Sequence, residues 1–417
     1  MRYFVESYGC TMNYGEGNFI AEKMRELGHV PVDSADDAEI VVLNTCTVID
    51  TTEKKMILRI SELKKAGKEV IVTGCMAKVQ RPRISIRLPD SLVIPPDSYD
   101  SFSDTVSKRY GTSPYRESGG TGTNTDTRVS AIIPIARGCL GDCSYCITKY
   151  ARGRLVSYPV SEIKEQFNNA LKNGCKEIQI TAQDTACYGL DIGTTLPDLI
   201  KELLTVPGEY RIRIGMMNPE NLEGILDPLM DIMNDERVYR FVHVPVQSGS
   251  DTVLERMNRR YKVSQFIEMI KRMRSFHGDI SISTDLISGF PGESDEDHKK
   301  SLDLIRIVSP DTVNVTRFSA RPGTEAAAMM GQIHGRVSKE RSRRITETKS
   351  DEAKGRNEGL IGKTMRVLVT EEGKDGTMIA RTNNYRPAIV PDDNVLGTFL
   401  DVVIAGCEST HLFGSVL

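Results

Sequence analysis

Arg137-Gly138-Cys139-Leu140-Gly141-Asp142-Cys143-Ser144-Tyr145-Cys146 sets three cysteines in a C-x3-C-x2-C run directly after Val129–Ile135, an apolar stretch that reads as a strand. Clustered thiolates without a signal peptide point to a metal centre, and the spacing narrows which one. Zinc usually takes a fourth Cys or His at a regular interval, and none of the six histidines falls near. A ferredoxin-type cubane for electron transfer takes four thiolates, and no fourth cysteine follows closely.

Three thiolates on a [4Fe–4S] cluster leave one iron open. An open iron can chelate the amino and carboxylate groups of S-adenosylmethionine (SAM), placing the sulfonium for one-electron cleavage. The motif therefore favours a cluster held by Cys139, Cys143 and Cys146 at the mouth of an α/β unit.

The chain around it is 417 residues long, enough for two to four domains. No apolar run approaches the roughly 20 residues of a membrane helix, and Met1–Glu6 leads into no signal-peptide core. We expect a cytoplasmic protein. Nine cysteines, an odd number, argue against a disulfide framework. A net charge of −3 gives no field that would gather nucleic acid, so RNA binding has to come from local patches.

Strands and helices alternate along residues 1–110, with strands at Tyr3–Ser7, Ile40–Asn44, Val70–Thr73 and Leu92–Ile94 and helices at 17–27 and 50–65. This alternation predicts a doubly wound parallel sheet. Residues 111–128 turn to Gly, Ser, Thr and Asn and read as a linker. Residues 129–357 carry six strand–helix units, too few for an eightfold barrel and suited to a partial (βα)6 barrel. Its strands are expected at Val129–Ile135, Glu177–Thr181, Tyr210–Gly215, Phe241–Val246, Ile280–Ile287 and Thr312–Phe318, and a polar helix at about Val337–Asn357 closes it. Residues 358–417 show four short strands and frequent turns, the pattern of a small β-barrel.

A second cysteine set lies in the first domain. Cys10 follows the first strand, Cys46 the second and Cys75 the third. Strand C-termini of an open parallel sheet converge on one crevice, so the three thiols are expected to face one another around a second [4Fe–4S] cluster. Helix N-termini there favour the thiolate. Cys175, Cys187 and Cys407 have no such placement and read as packing residues.

With both sets placed, the chain resembles the methylthiotransferases, radical-SAM enzymes with an N-terminal cluster domain, a radical-SAM core and a C-terminal TRAM domain, over essentially its whole length. Tyr145 fits their pattern. The run after Cys146, Ile147-Thr148-Lys149-Tyr150-Ala151-Arg152-Gly153-Arg154-Leu155, is similar to the archaeal and eukaryotic branch, which modifies N6-threonylcarbamoyladenosine beside the tRNA anticodon. The resemblance implies two SAM molecules: one donates a methyl to sulfur at the N-terminal cluster, and the other yields a 5′-deoxyadenosyl radical that abstracts hydrogen from adenosine C2 before the methylthio group is inserted. It also implies a low-potential electron donor of ferredoxin or flavodoxin type, a sulfur donor, no membrane and action as a monomer. Relatives acting on isopentenyladenosine tRNA or on a ribosomal-protein aspartate, and a non-catalytic iron–sulfur protein, are the alternatives.

The resemblance assigns Gln183, Asp184, Asn218, Gln247, Ser248, Asp285, Gly289 and Arg317 to the SAM and substrate cavity, each near a strand C-terminus. Gly289 and Gly292 are expected to let backbone approach the cofactor. Arg137, Lys149, Arg152 and Arg154 would give the cavity a positive rim for phosphate. The helix at 335–357 holds eight Lys/Arg against four Asp/Glu, whereas residues 358–417 hold five against eight. A C-terminal grip on tRNA therefore requires Lys363, Arg366, Arg381, Tyr385 and Arg386 to share one face.

Overall fold

The computed structural model describes residues 1–48, 50–112, 129–391 and 396–417; of the expected linker at 111–128, residues 113–128 lie outside them. The chain forms two compact units. One gathers the described part of Met1–Asp126 with Arg137–Gly141 and Cys146–Arg154; the other gathers the described part of Thr127–Ala136 with Asp142–Tyr145 and Leu155–Leu417. The chain thus passes from one unit to the other within the cysteine motif itself.

In the first unit, β1 (Arg2–Ser7), β2 (Val30–Pro31), β3 (Ile40–Thr45), β4 (Glu69–Gly74) and β5 (Leu92–Val93) form a parallel sheet in the order β2-β1-β3-β4-β5. All six residues of β3 are buried, as a strand covered on both faces requires. Alternate side chains point to opposite faces. Val41, Leu43, Val70 and Val72 pack with Met56 and Ile60 of α2 (Asp50–Lys65), whereas Tyr3, Val5, Val42 and Ile71 pack with Ile20 and Met24 of α1 (Thr11–Glu26). The sheet is doubly wound, as expected. Helix α1 begins at Thr11, six residues ahead of its predicted start. Gly15 and Gly17 masked this turn, since each costs about 1 kcal/mol against Ala in a helix. Gly17 lies so close to Ser7 of β1 that a Cβ there would collide with the Ser7 side chain. Helices α3 (Cys75–Val79), α4 (Arg81–Arg87), α5 (Phe102–Tyr110) and α6 (Thr148–Arg152) complete the unit.

The second unit opens with β6 (Ser130–Pro134); the short β7 (Ala136–Arg137) and β8 (Val156–Ser157) follow. Then come β9 (Glu177–Thr181), β10 (Arg211–Ile214), β11 (Phe241–His243), β12 (Ser281–Ser288) and β13 (Thr312–Arg317). Two parallel sheets, β10-β9-β6 and β11-β12-β13, are joined by parallel bridges from Ile212 to Val238 and from Met216 to His243. The six strands therefore run in chain order as a partial barrel. Helices such as Val160–Lys172, Val263–Phe276 and Asp295–Val308 bury apolar faces against it.

The helix Gly335–Glu358 lies on this unit through Ile345 and Ala353, and its Lys349 Nζ donates to the Val313 carbonyl at 2.7 Å. After it, β14 (Thr364–Glu372), β15 (Thr377–Thr382), β16 (Pro387–Pro391), β17 (Phe399–Cys407) and β18 (Leu412–Val416) close a barrel in the order β14-β15-β16-β18-β17. Sequence reasoning found four of these strands. The fifth, Leu-Phe-Gly-Ser-Val, is short and contains a glycine; pairing with β16 on one side and β17 on the other holds it. No helix among the described residues is long and apolar enough to cross a membrane.

Candidate functional site

Strands β1, β3 and β4 are neighbours in the first sheet, and their C-terminal ends carry Cys10, Cys46 and Cys75. Two glycines let these turns close on one another. Gly9, at φ 113°, brings its backbone so near Cys46 that a Cβ would lie 2.7 Å from the Cys46 Cβ. Gly74, at φ 80°, lies against the backbone of Thr45. Asn13, in the first turn of α1, joins the Cys10 and Cys46 turns: its Nδ2 donates to the Tyr8 carbonyl at 2.7 Å and to the Thr45 carbonyl at 3.0 Å. Asn44 Nδ2 returns a bond to the Asn13 carbonyl at 2.6 Å.

Cys46 and Cys75 are buried and Cys10 is exposed. Burial pushes the Cys75 thiol up to about 12, Arg152 pulls it down, and Cys10 and Cys46 raise it further. The three sulfurs therefore share one electrostatic environment. Among the described residues no three His, Cys, Asp or Glu side chains are grouped as around a metal ion. A single ion draws its ligands to one point, whereas a cubane meets each thiolate through a different iron. Three thiols on adjacent turns with one open, solvent-facing member fit the second arrangement.

Arg152 departs from its expected place on the rim. It ends α6, its side chain is 1% exposed, and Nε stands 3.2 Å from Cys75 Sγ. One terminal nitrogen pairs with Glu16, also buried, and the other donates to Asn13 Oδ1 at 2.7 Å. Burial alone would lower the guanidinium pKa, but Cys75, Glu16 and Tyr99 raise it well above its ordinary value, so the charge persists. A buried cation needs such partners, and a sequence shows its sign but not who satisfies it. Arg137 reaches towards the Pro96 carbonyl at 3.5 Å, Lys149 lies 5.2 Å over the Tyr150 ring and Arg154 is exposed. A cavity of about 670 Å³ beside β1, lined by Glu6, Tyr8, Asp33, Asp36 and Arg59, includes none of the cysteines.

Of the C-x3-C-x2-C set, Cys139 and Cys146 fall in the first unit and Cys143 in the second. The Gly141 amide donates to Cys139 Sγ at 3.2 Å. In the second unit Arg259 Nη1 stands 3.2 Å from Cys143 Sγ, and Arg259 is fixed by the Pro245 carbonyl and the Tyr261 hydroxyl. Donors and cations facing sulfur suit thiolate ligands. Arg259 was not predicted; its place in Arg256-Met257-Asn258-Arg259-Arg260, a basic turn after the fourth barrel strand, is the signal that was available.

The remaining predicted residues ring the strand C-termini of the barrel. Asp184 is buried: its carboxylate accepts from the amides of Ala186 and Asn218 and, at 2.6 Å, from Asn221 Nδ2. Burial raises its pKa and these bonds oppose the rise. It thus fastens the loop after β9 to that after β10. Gln183 beside it is half-buried. Asn218 donates to Glu220, and its buried Oδ1 has no partner among the described residues. Gln247 takes φ 69°, between the Asp285 carbonyl and the Ile287 amide. Ser248 Oγ accepts from the Ser250 amide. Asp285 Oδ1 joins His243 Nε2 and Asn314 Nδ2, each at 2.8 Å. His243 and Asn314 escaped sequence reasoning because they come from two other strands.

Tyr145 meets the Phe290 ring edge-on at 6.3 Å, and Arg317 is exposed at the end of β13. Gly289 and Gly292 accommodate protein groups: a Cβ on the first would lie 2.7 Å from the Ser338 Cβ, and one on the second would collide with the Arg256 guanidinium. Both hold positive φ, at 77° and 76°, a conformation that favours glycine.

The C-terminal candidates do not share one open face. Tyr385 packs on Tyr239 and Phe241 at ring distances of 4.8 and 5.0 Å, with Arg381 over it at 5.0 Å. Arg386 is buried against Asp311 and Asn357, and Arg366 pairs with Glu209 at 2.6 Å. These four residues join the barrel module to the partial barrel or brace that junction. Lys363 is exposed.

Family models match three stretches of the chain: Uncharacterized protein family UPF0004 over residues 2–94, the Radical SAM superfamily over 133–305 and the TRAM domain over 359–417. Two proteins named probable threonylcarbamoyladenosine tRNA methylthiotransferases are similar throughout. That of Archaeoglobus fulgidus is 39% identical over 100% of this chain and 99% of its own, and that of Pyrococcus abyssi is 40% identical over 100% of both. The threonylcarbamoyladenosine tRNA methylthiotransferase of Homo sapiens is 32% identical over 96% of this chain and 71% of its own. Among solved structures, the radical S-adenosylmethionine methyltransferase TsrM of Kitasatospora setae shares the fold with a TM-score of 0.60 at 13% identity, over 78% of this chain and 74% of that one.

Proposed function

The chain belongs to the family of threonylcarbamoyladenosine tRNA methylthiotransferases, radical-SAM proteins, and on that footing we propose that it converts N6-threonylcarbamoyladenosine beside the tRNA anticodon to its 2-methylthio derivative, with two [4Fe–4S] clusters and two SAM molecules. The observation that carries the two-cluster reading is the pair of separate three-cysteine sets, one at three adjacent strand ends and the other following the first strand of the partial barrel.

In this reading residues 1–110 present sulfur from Cys10, Cys46 and Cys75, residues 129–357 hold the radical centre on Cys139, Cys143 and Cys146, and residues 358–417 form the TRAM module. Cys139, Cys143 and Cys146 would hold the cluster that, when bound, supplies the electron for SAM cleavage. Arg259, beside Cys143, holds a positive charge where thiolate charge collects. Asn218 offers a buried acceptor without a partner among the described residues, suited to a ligand amine or hydroxyl. Asp285, oriented by His243 and Asn314, has fixed acceptor geometry for a ribose or an amine, and Gln183, Gln247, Ser248 and Arg317 lie at neighbouring strand ends. Lys149, Arg154 and Lys363 supply cations for phosphate. A low-potential reductant and a sulfur donor are the partners this chemistry requires, and the cytoplasm is the compartment that keeps nine cysteines reduced.

Cys139→Ala should abolish formation of 5′-deoxyadenosine from SAM by the reduced protein. Cys46→Ala should keep that cleavage and lose sulfur insertion, assayed by nucleoside analysis of tRNA. Equal loss of cleavage in both variants would rule out two separable centres. Unchanged methylthio-nucleosides in tRNA from a deletion strain would redirect the activity to a protein target.

A further inference from the structure

Arg152 is a buried cation that no step above uses. It follows Cys146 by six positions and ends α6, yet it is built into the crevice of the other cysteine set. Its Nε is 3.2 Å from Cys75 Sγ, and its two terminal nitrogens are held by Glu16 and Asn13, both from the first turns of the helix that follows Cys10. The three attachments use the fork geometry of a guanidinium, which a lysine cannot reproduce. Glu16 spends one oxygen on Arg152, and the other is buried without a partner among the described residues.

We infer that Arg152 is a positioning residue of the Cys10/Cys46/Cys75 site, placing a fixed positive charge against the Cys75 sulfur to stabilise the anionic, reduced state of a cluster bound there. The inference rests on the reading that these cysteines hold a cluster. Charge and hydrogen bonds at ligand sulfurs set the potential of an iron–sulfur centre, and a buried cation acts there with little screening. Because Arg152 sits on the segment that also carries Cys139 and Cys146, the stretch from Cys139 to Arg152 contributes to both cysteine sets.

The test uses the full chain with Cys139, Cys143 and Cys146 all replaced by Ala, so that one site remains. Reconstituted anaerobically, it should bind about four irons; absence of iron would overturn the cluster reading, and this inference with it. In that background the midpoint potential is followed by electron paramagnetic resonance for Arg152→Gln, Arg152→Lys and the pair Glu16→Gln/Arg152→Gln. The paired change removes the carboxylate that Arg152→Gln would leave buried and unpaired; because Glu16 also acts on Cys75, Glu16→Gln alone is its reference. We expect iron content to hold in the paired variant and its potential to lie below that of Glu16→Gln alone, with Arg152→Lys falling between Arg152→Gln and the parent. A paired variant with the potential and spectrum of Glu16→Gln alone, whatever its melting temperature, would show that Arg152 is only a structural filler.

Discussion

Gly74 shows how much of this site depends on single residues. It precedes Cys75, holds φ 80°, and faces the Thr45 backbone at the root of the Cys46 turn. Gly74→Ala adds strain of about 1–3 kcal/mol and has to push the β3 and β4 ends apart. Iron per chain should fall from about eight towards about four on anaerobic reconstitution, while SAM cleavage persists; unchanged iron would refute the argument. The Gly-Cys pairs at 9–10 and 74–75 were visible in the sequence as turns, and so was the convergence of their cysteines. Asn13, Glu16 and Arg152 were not legible as one cluster, because they come from two segments far apart in the chain. The same holds for His243, Asp285 and Asn314, which meet only once three strands are in register.

At the scale of an element, the helix Asp295–Val308 is fixed at its start by a capping box. Ser294 Oγ accepts from the Asp297 amide, and the Asp297 side chain accepts from the Ser294 amide. Ser294→Ala should cost about 1 kcal/mol of stability, measured by denaturant unfolding. One turn on, His298 is buried with both ring nitrogens unpartnered among the described residues. Burial, with Arg341 and Arg344 nearby, lowers its pKa from 6.5 to about 4, against weaker upward pulls from Asp295 and Glu340. The unfolded chain therefore takes up a proton below pH 6.5 that the fold refuses, so the stability present above pH 6.5 is lost as pH falls towards 4. His298→Gln should lose less melting temperature than the parent between pH 7 and pH 5; parallel losses would exclude this source. The helix itself was readable from its period and its run of acids. The environment of His298 was not, since Arg341 and Arg344 arrive from the later helix Gly335–Glu358.

For the whole molecule, the decisive contacts lie between the C-terminal barrel and the strands it covers. Asp311 accepts from both Arg356 and Arg386, and Arg386 also reaches Asn357. Arg386→Ala strands a buried carboxylate in part and should cost about 3 kcal/mol, seen as a lower melting temperature, whereas Lys363→Ala should leave melting unchanged and weaken tRNA binding. Equal losses of tRNA affinity in the two variants, each measured well below its own melting temperature, would return Arg386 to the RNA surface. The sequence by itself determined the series of parallel units, most of their strands, the small terminal barrel and the two cysteine sets. Each depends on local periodicity or on a residue type standing just beyond a strand. Tertiary structure alone decided which charges are spent inside the protein. Arg152, Tyr385 and Arg386 look like surface RNA contacts from their type and spacing, but Arg152 and Arg386 are buried and Tyr385 is half-buried, because a partner from a distant segment satisfies each one. Chain order carries no record of such pairings.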